Sequence, residues 1–253
     1  MYATSRLARW FFAAAFVALG ITGIVNGDFA LVWQHVPAHV PGRTTLAYVC
    51  AAIEIALGLG LLFERTRRPA SRILLAYLML WLVLLQVPHP VRAPADASSW
   101  GSIGEIAIMT AGAWCLAATG ADGVRGARWL LVVALPMIGV EVIVDAHKFG
   151  AHVMQPWLQW LPWPAAWAAA AGIASIAACL ALLFGVWPRL AAAMEAAMLG
   201  LITVAYWGPD LSTGRTATTA FIISALIAIG AWLVAGTYRG LPWFATWRPV
   251  WKT

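Results

Sequence analysis

A chain of 253 residues that is 62% hydrophobic and only 10% charged has too little polar surface to coat a water-soluble globule, because soluble domains carry about 25% charged residues. With a mean hydropathy of +0.81 it reads as a polytopic membrane protein. The net charge of +6 does not argue for a nucleic-acid partner, because the arginines flank apolar runs, where membrane topology places them.

Spanning the hydrocarbon layer takes about 20 apolar residues. Eight such runs follow in order, at 8–25, 46–63, 70–87, 101–119, 129–146, 165–186, 190–207 and 216–236. All are expected to be helices, since backbone groups in lipid must be paired within their own segment. Between them lie proline-rich breaks, "HVPAHVPGR" (35–43), "VPHPVRAPADASS" (87–99) and "PWLQWLPWPAAW" (156–167), and a glycine-rich link, "TGADGVRG" (119–126). The first run, basic and then apolar, also has the look of a signal peptide, but no small-x-small cleavage site precedes a polar start.

Placing the N-terminus inside gives the inner side Arg6, Arg9, Arg65, Arg67, Arg68, Arg72, Arg125, Arg128, Arg189, Arg239, Arg248 and Lys252. The outer side then holds only Arg43, Arg92, Lys148 and Arg215. This bias sets a topology with both termini cytoplasmic, in a bacterial-type inner membrane. Tryptophans fall at both expected interfaces, Trp33, Trp100 and Trp163 outside and Trp10, Trp129 and Trp187 inside. The segment 240–253 reads as an amphipathic tail on the inner surface.

The chain also repeats itself with a shift of about 120 residues. "ARWFFAAAFVALGI" (8–21) matches "ARWLLVVALPMIGV" (127–140), and "GAW" at 112–114 returns at 230–232. The expected architecture is therefore all-α, with eight transmembrane helices forming two parallel-repeat four-helix bundles. Residues 1–120 make the first unit and 121–239 the second. Aligned on "LLF", Glu54 falls opposite Ser175.

Ionisable groups within a bilayer cost a few kcal/mol or more each and face a protein interior or a watery cavity. Glu54 lies near the middle of the second run, and Glu105 lies in the outer third of the fourth. Each either ties helices together by hydrogen bonds or holds and relays a proton. With His89 they form the expected catalytic set, and Asp28, Arg43 and Arg92 stand nearby as substrate-binding residues. Glu141 and Asp145, four residues apart on one helix face, are added to the binding set. All five histidines fall on the outer side. His147 and His152 are the candidate metal ligands among them, against a plainer reading as interfacial residues. Glu195 is expected to pair with Arg189 or another inner base. No phosphate loop, dinucleotide fingerprint or nucleophile elbow occurs, no histidine sits mid-helix to hold a haem, and the three cysteines form no C-x-x-C pair.

The first half resembles the DoxX-like family of small four-helix membrane proteins. The residues that carry the resemblance are the arginine-led first run ending "GITGI" (20–24), "VPAHVP" (36–41), "IEIALGLGLL" (53–62), "RRPASR" (67–72) and a third run closing on His89. The second half follows the same pattern more loosely. The resemblance implies that Glu54 is the family's second-helix glutamate. A basic residue is common in the family where the first helix ends; here Asn26 stands there. Relatives of this kind include membrane subunits of thiosulfate:quinone oxidoreductase and proteins that accompany redox, thiol-stress or metal-handling systems. The leading expectation is thus a quinone-linked membrane subunit with no redox centre of its own, working with a redox partner subunit. The alternative is a carrier or assembly factor for a small solute, proton or metal ion.

Overall fold

The computed structural model describes residues 6–30, 33–153, 161–211 and 213–246, with the side chains of 152 and 153 excepted. It is helical, and each of the eight apolar runs lies mostly in one long helix, several of them running past its end. The helices are α1 (Arg6–Asn26), α2 (Arg43–Leu62), α3 (Arg67–Trp81), the short α4 (Pro88–Arg92), α5 (Ala97–Ala117), α6 (Ala121–Val144), the short α7 (Ala146–Val153), α8 (Pro164–Phe184), α9 (Pro188–Ile202) and α10 (Arg215–Gly236). Five-residue π-turns, Leu82–Gln86 and Thr203–Trp207, continue α3 and α9. Among the described residues the only bridge between extended segments is Val186 with Thr246.

Seven helices are long and apolar enough to cross a membrane, counting α3 through α4 and α9 through its π-turn as single spans. The chain is therefore a multi-pass helical membrane protein. The remaining long helix, α5, has 21 residues but carries Ser98, Ser99, Ser102, Glu105 and Thr110, which lower its hydropathy. Its position accounts for this composition. α5 packs against α3, α6 and α10, and 12 of its residues are buried. A helix surrounded by protein has less need of apolar side chains than one facing lipid. The most lipid-facing helices are α8 and α9, which leave Trp167, Ile173, Leu180, Met194 and Leu201 exposed.

α1 packs on α2 and α10, α2 on α3, α3 on α5, α5 on α6 and α10, α6 on α8, α8 on α9, and α9 on α10. Glycines set the closest approaches. A Cβ on Gly112 of α5 would lie 2.6 Å from the Cα of Gly230 on α10. Both glycines belong to the repeated "GAW". A Cβ on Gly20 of α1 would meet the Ala51 carbonyl at 2.5 Å and the Ile55 side chain of α2 at 2.6 Å. Gly139 of α6 has the same relation to α8, 2.7 Å from the Gly172 carbonyl and 2.8 Å from the Ile176 side chain. Close backbone approach of this kind is how helices associate where burial from water supplies no drive.

At the end of the bundle where α1 begins, two arginines are buried. Arg9 reaches Glu64 at 3.2 Å. Arg128 donates to the Thr237 hydroxyl at 2.9 Å and the Thr237 carbonyl at 2.7 Å, and its guanidinium lies 4.1 Å over the Tyr238 ring. Residues 240–246 form turns that run back along the α8–α9 corner, with Phe244 edge-on to Trp187 at 5.6 Å. The rest of the predicted amphipathic tail, 247–253, lies outside the described residues.

Gly112→Leu is expected to lower stability by about 1–3 kcal/mol, because the α5–α10 crossing has no room for the added atoms. Gly120→Ala, where a Cβ meets nothing within 4 Å, is expected to leave stability close to wild type. Thermal unfolding of both variants in detergent checks the pair.

Candidate functional site

The polar centre of the first half depends on a short segment after α1. Gly27, with φ of 61°, turns the chain at the end of the helix. The chain then passes inward, so that Phe29, Ala30, Trp33 and Gln34 are all buried. Trp33, expected in the outer tryptophan belt, is instead fully buried. The loop carries it into the bundle, where rings from α3 receive it.

Gln34 brings this segment to Glu54. Its amide nitrogen donates to Glu54 Oε1 at 3.1 Å and to the Tyr77 hydroxyl at 2.9 Å. Its own carbonyl oxygen accepts the Ala30 amide at 3.2 Å. The Tyr77 hydroxyl in turn donates to Glu54 Oε1 at 3.0 Å. Glu54 is thus a buried carboxyl served by two neutral donors, with no arginine or lysine paired to it among the described residues. Three aromatic rings wall the group. Trp33 and Tyr77 meet edge to face at 6.0 Å, Trp33 and Trp81 at 6.2 Å, and Tyr77 and Trp81 at 5.9 Å.

The π-turn after α3 completes this wall. Widening the helix at 82–86 brings Gln86 into the core, where its amide nitrogen donates to the Trp33 carbonyl at 2.8 Å. Single π-turns of this kind recur at functional sites. Two buried polar atoms remain without a partner, the indole nitrogen of Trp33 and the carbonyl oxygen of Gln86, while the Trp81 indole lies beside the Tyr77 hydroxyl. Such groups are uncommon in native interiors and call for a physical account.

The other predicted residues sit apart from this centre. Asp28 accepts the Phe29 amide at 2.8 Å and pairs with both Arg43 and Arg215, the latter at 3.3 Å. Arg215 also donates to the Phe29 carbonyl at 2.7 Å, so the start of α10 is fastened to the end of α1. Burial pushes the Asp28 carboxyl up, but the Phe29 amide and the two guanidiniums outweigh it and hold the group below the usual carboxylate value. Arg92 is exposed. His89 sits beside His35 with ring centroids 6.2 Å apart.

Glu105 is placed with Glu141 rather than with Glu54. The Glu141 carboxyl lies against Gly101, where a Cβ on α5 would displace it. It is within electrostatic reach of Glu105 and Asp145, with Ser98 beside it. Asp145 pairs with Lys148 at 2.7 Å. His147 is exposed, and the His152 side chain lies outside the described residues. Among the described residues no three His, Cys, Asp or Glu side chains are grouped to hold a metal ion.

Glu195 does not pair with Arg189. It accepts the Ser175 hydroxyl at 2.9 Å, while Arg189 donates to the Leu241 carbonyl at 2.8 Å. Six residues along a helix of 3.6 per turn leave two side chains about a third of a turn apart, so one faces α8 and the other the chain end. Sequence reasoning passed over Gln34, Tyr77 and Gln86. Gln86 did leave a signal, as a polar residue near the end of the apolar run 70–87. Comparison with family models, with curated proteins and with solved structures finds no match to this chain.

Tyr77→Phe removes one of the two donors to Glu54 and is expected to cost about 1–3 kcal/mol in detergent unfolding. Asp28 gives a pH test. Its folded pKa lies below the usual carboxylate value of 3.8, so its stabilisation is complete above that value and is lost as the pH falls through the folded pKa. An acid titration of Tm should show this loss in wild type, and Asp28→Asn should lack that component.

Proposed function

We propose that this chain is a DoxX-like membrane protein made of two four-helix units, residues 1–120 and 121–239, and that the first unit receives a quinone headgroup beside Glu54. The observation that carries this reading is a carboxyl deep in a membrane bundle, bonded only to neutral donors and bordered by the unpaired Trp33 indole nitrogen and Gln86 carbonyl oxygen. The Trp33 indole N–H would serve a quinone carbonyl oxygen, and Tyr77 and Trp81 would provide aromatic faces for the ring. Glu54, joined to Gln34 and Tyr77, would deliver and recover a proton. Converting a quinone to a quinol takes two electrons and two protons. The electrons would come from a redox partner subunit, and Glu54 would pass one proton at a time, taking each from the outer side.

Support for the duplication comes from matched local geometry. The pairs Gly20 with Ala51 and Ile55, and Gly139 with Gly172 and Ile176, correspond under the sequence repeat. So do the two π-turns, each of which follows a helix of 15 residues. α1 packs on α10 as α6 packs on α5. In this reading all eight long helices cross the inner membrane and both termini are cytoplasmic, as the distribution of arginines favours.

A second reading, a carrier for a proton or small cation, draws on a different pair. Glu105 and Glu141 bring two carboxyl groups together at the α5–α6 seam.

The proteins to compare are wild type, Glu54→Gln and Glu141→Gln, purified with their native lipid. Wild type is expected to retain quinone in extracts and Glu54→Gln to lose most of it, with Glu141→Gln unaffected. A wild-type protein without quinone, together with unchanged quinone reduction by membranes carrying Glu54→Gln, sinks the quinone reading. Loss of cation or proton flux in Glu141→Gln liposomes alone would favour the carrier.

A further inference from the structure

A groove lies at the end of the bundle where α9 begins and α10 ends. It has a volume of about 530 Å³ between those two helices, within the range of small-ligand sites. Its shaft is lined by small residues, Ala193, Ala197 and Gly200 from α9 and Ala228 and Ala235 from α10. The groove is open where its glycines stand, since a Cβ on Gly200 or Gly236 would meet nothing within 4 Å.

Its mouth has a different chemistry, formed by Arg189, Arg239 and Trp243. Arg189 is fixed in place. It donates to the Leu241 carbonyl at 2.8 Å, and its guanidinium lies 4.1 Å over the Trp243 ring. That bond uses one of the five N–H donors of a guanidinium. Arg239 is exposed. Among the described residues neither arginine is paired with a carboxylate. Two uncompensated cations and an indole thus stand at the head of an apolar slot that faces lipid.

We propose that this groove binds an anionic phospholipid, with the headgroup phosphate between Arg189 and Arg239 and an acyl chain along the Ala/Gly shaft. Charge complementarity selects the headgroup, because a guanidinium binds phosphate oxygens through paired N–H donors. Basic pockets between membrane helices hold anionic headgroups in this way. The apolar shaft selects a chain-bearing ligand over a free phosphate. Trp243 sits where an indole would lie against the headgroup region. The proposal is independent of the quinone reading, which concerns the other half of the molecule.

Native mass spectrometry of the full-length protein in detergent tests it. The probes are phosphatidylglycerol, phosphatidylcholine with the same chains, and glycerol phosphate with none. Phosphatidylglycerol should bind at least tenfold more tightly than phosphatidylcholine, and glycerol phosphate should not displace it. Arg239→Gln should bring phosphatidylglycerol down to the phosphatidylcholine level, and Gly200→Phe should block the shaft with both arginines intact. Arg189→Gln repeats the test, but loss of its bond to Leu241 can disturb folding, so Arg239→Gln is decisive. Equal binding of the two lipids, unchanged phosphatidylglycerol affinity in Arg239→Gln, or full displacement by glycerol phosphate overturns the proposal.

Discussion

A carboxyl group in a bilayer has no water to turn to, and the first half of this protein is arranged around that constraint. Glu54 is satisfied only because the segment after α1 leaves the surface and brings Gln34 beside it, while α3 presents Tyr77 from the other side. That inward passage has further effects. It buries Trp33, draws the Gln86 amide onto the Trp33 carbonyl, and leaves Asp28 at the rim where two arginines close over it. The aromatic wall, the π-turn and the outer ion pairs all follow from the path of these few residues.

The sequence and the structure agree most closely where hydrophobic length decides the outcome. Runs of about 20 apolar residues admit one solution in lipid, so the seven long apolar helices are legible in the sequence, and so is the isolation of Glu54 among apolar neighbours. The residues that satisfy Glu54 were not. Gln34 comes from a loop, where no periodicity marks a side chain as inward-facing, and Tyr77 stands 23 positions along the chain from its partner. Trp33 was misplaced because an indole near a helix end ordinarily marks an interface, and only the fold shows that this one turns in. Glu195 was misassigned because closeness along the chain was allowed to outweigh helical phase. Glu105 and Glu141 were both singled out, but their meeting depends on how α5 crosses α6, which the residue pattern does not encode.

The two halves handle a buried acid differently. In the first, the acid is on α2 and its partners are a tyrosine and an amide. In the second, the acid is Glu195 on α9, and its partner is the Ser175 hydroxyl of α8. Counting from the two π-turns, Tyr77, Trp81 and Gln86 correspond to Met198, Ile202 and Trp207. The α8–α9 seam thus holds a carboxyl bonded to a hydroxyl, in place of the tyrosine and amide that serve Glu54.

The link between Asp28 and Arg215 joins residues 187 positions apart. A nascent chain emerges from its N-terminus, so for most of its synthesis Asp28 has only Arg43 to meet it. The second guanidinium arrives with the last helix, which also seats itself against α1 and α5. Completion of this rim is thus deferred until α10 is in place. A ribosome-bound intermediate halted before α10 would present an unfinished rim, held from one side alone.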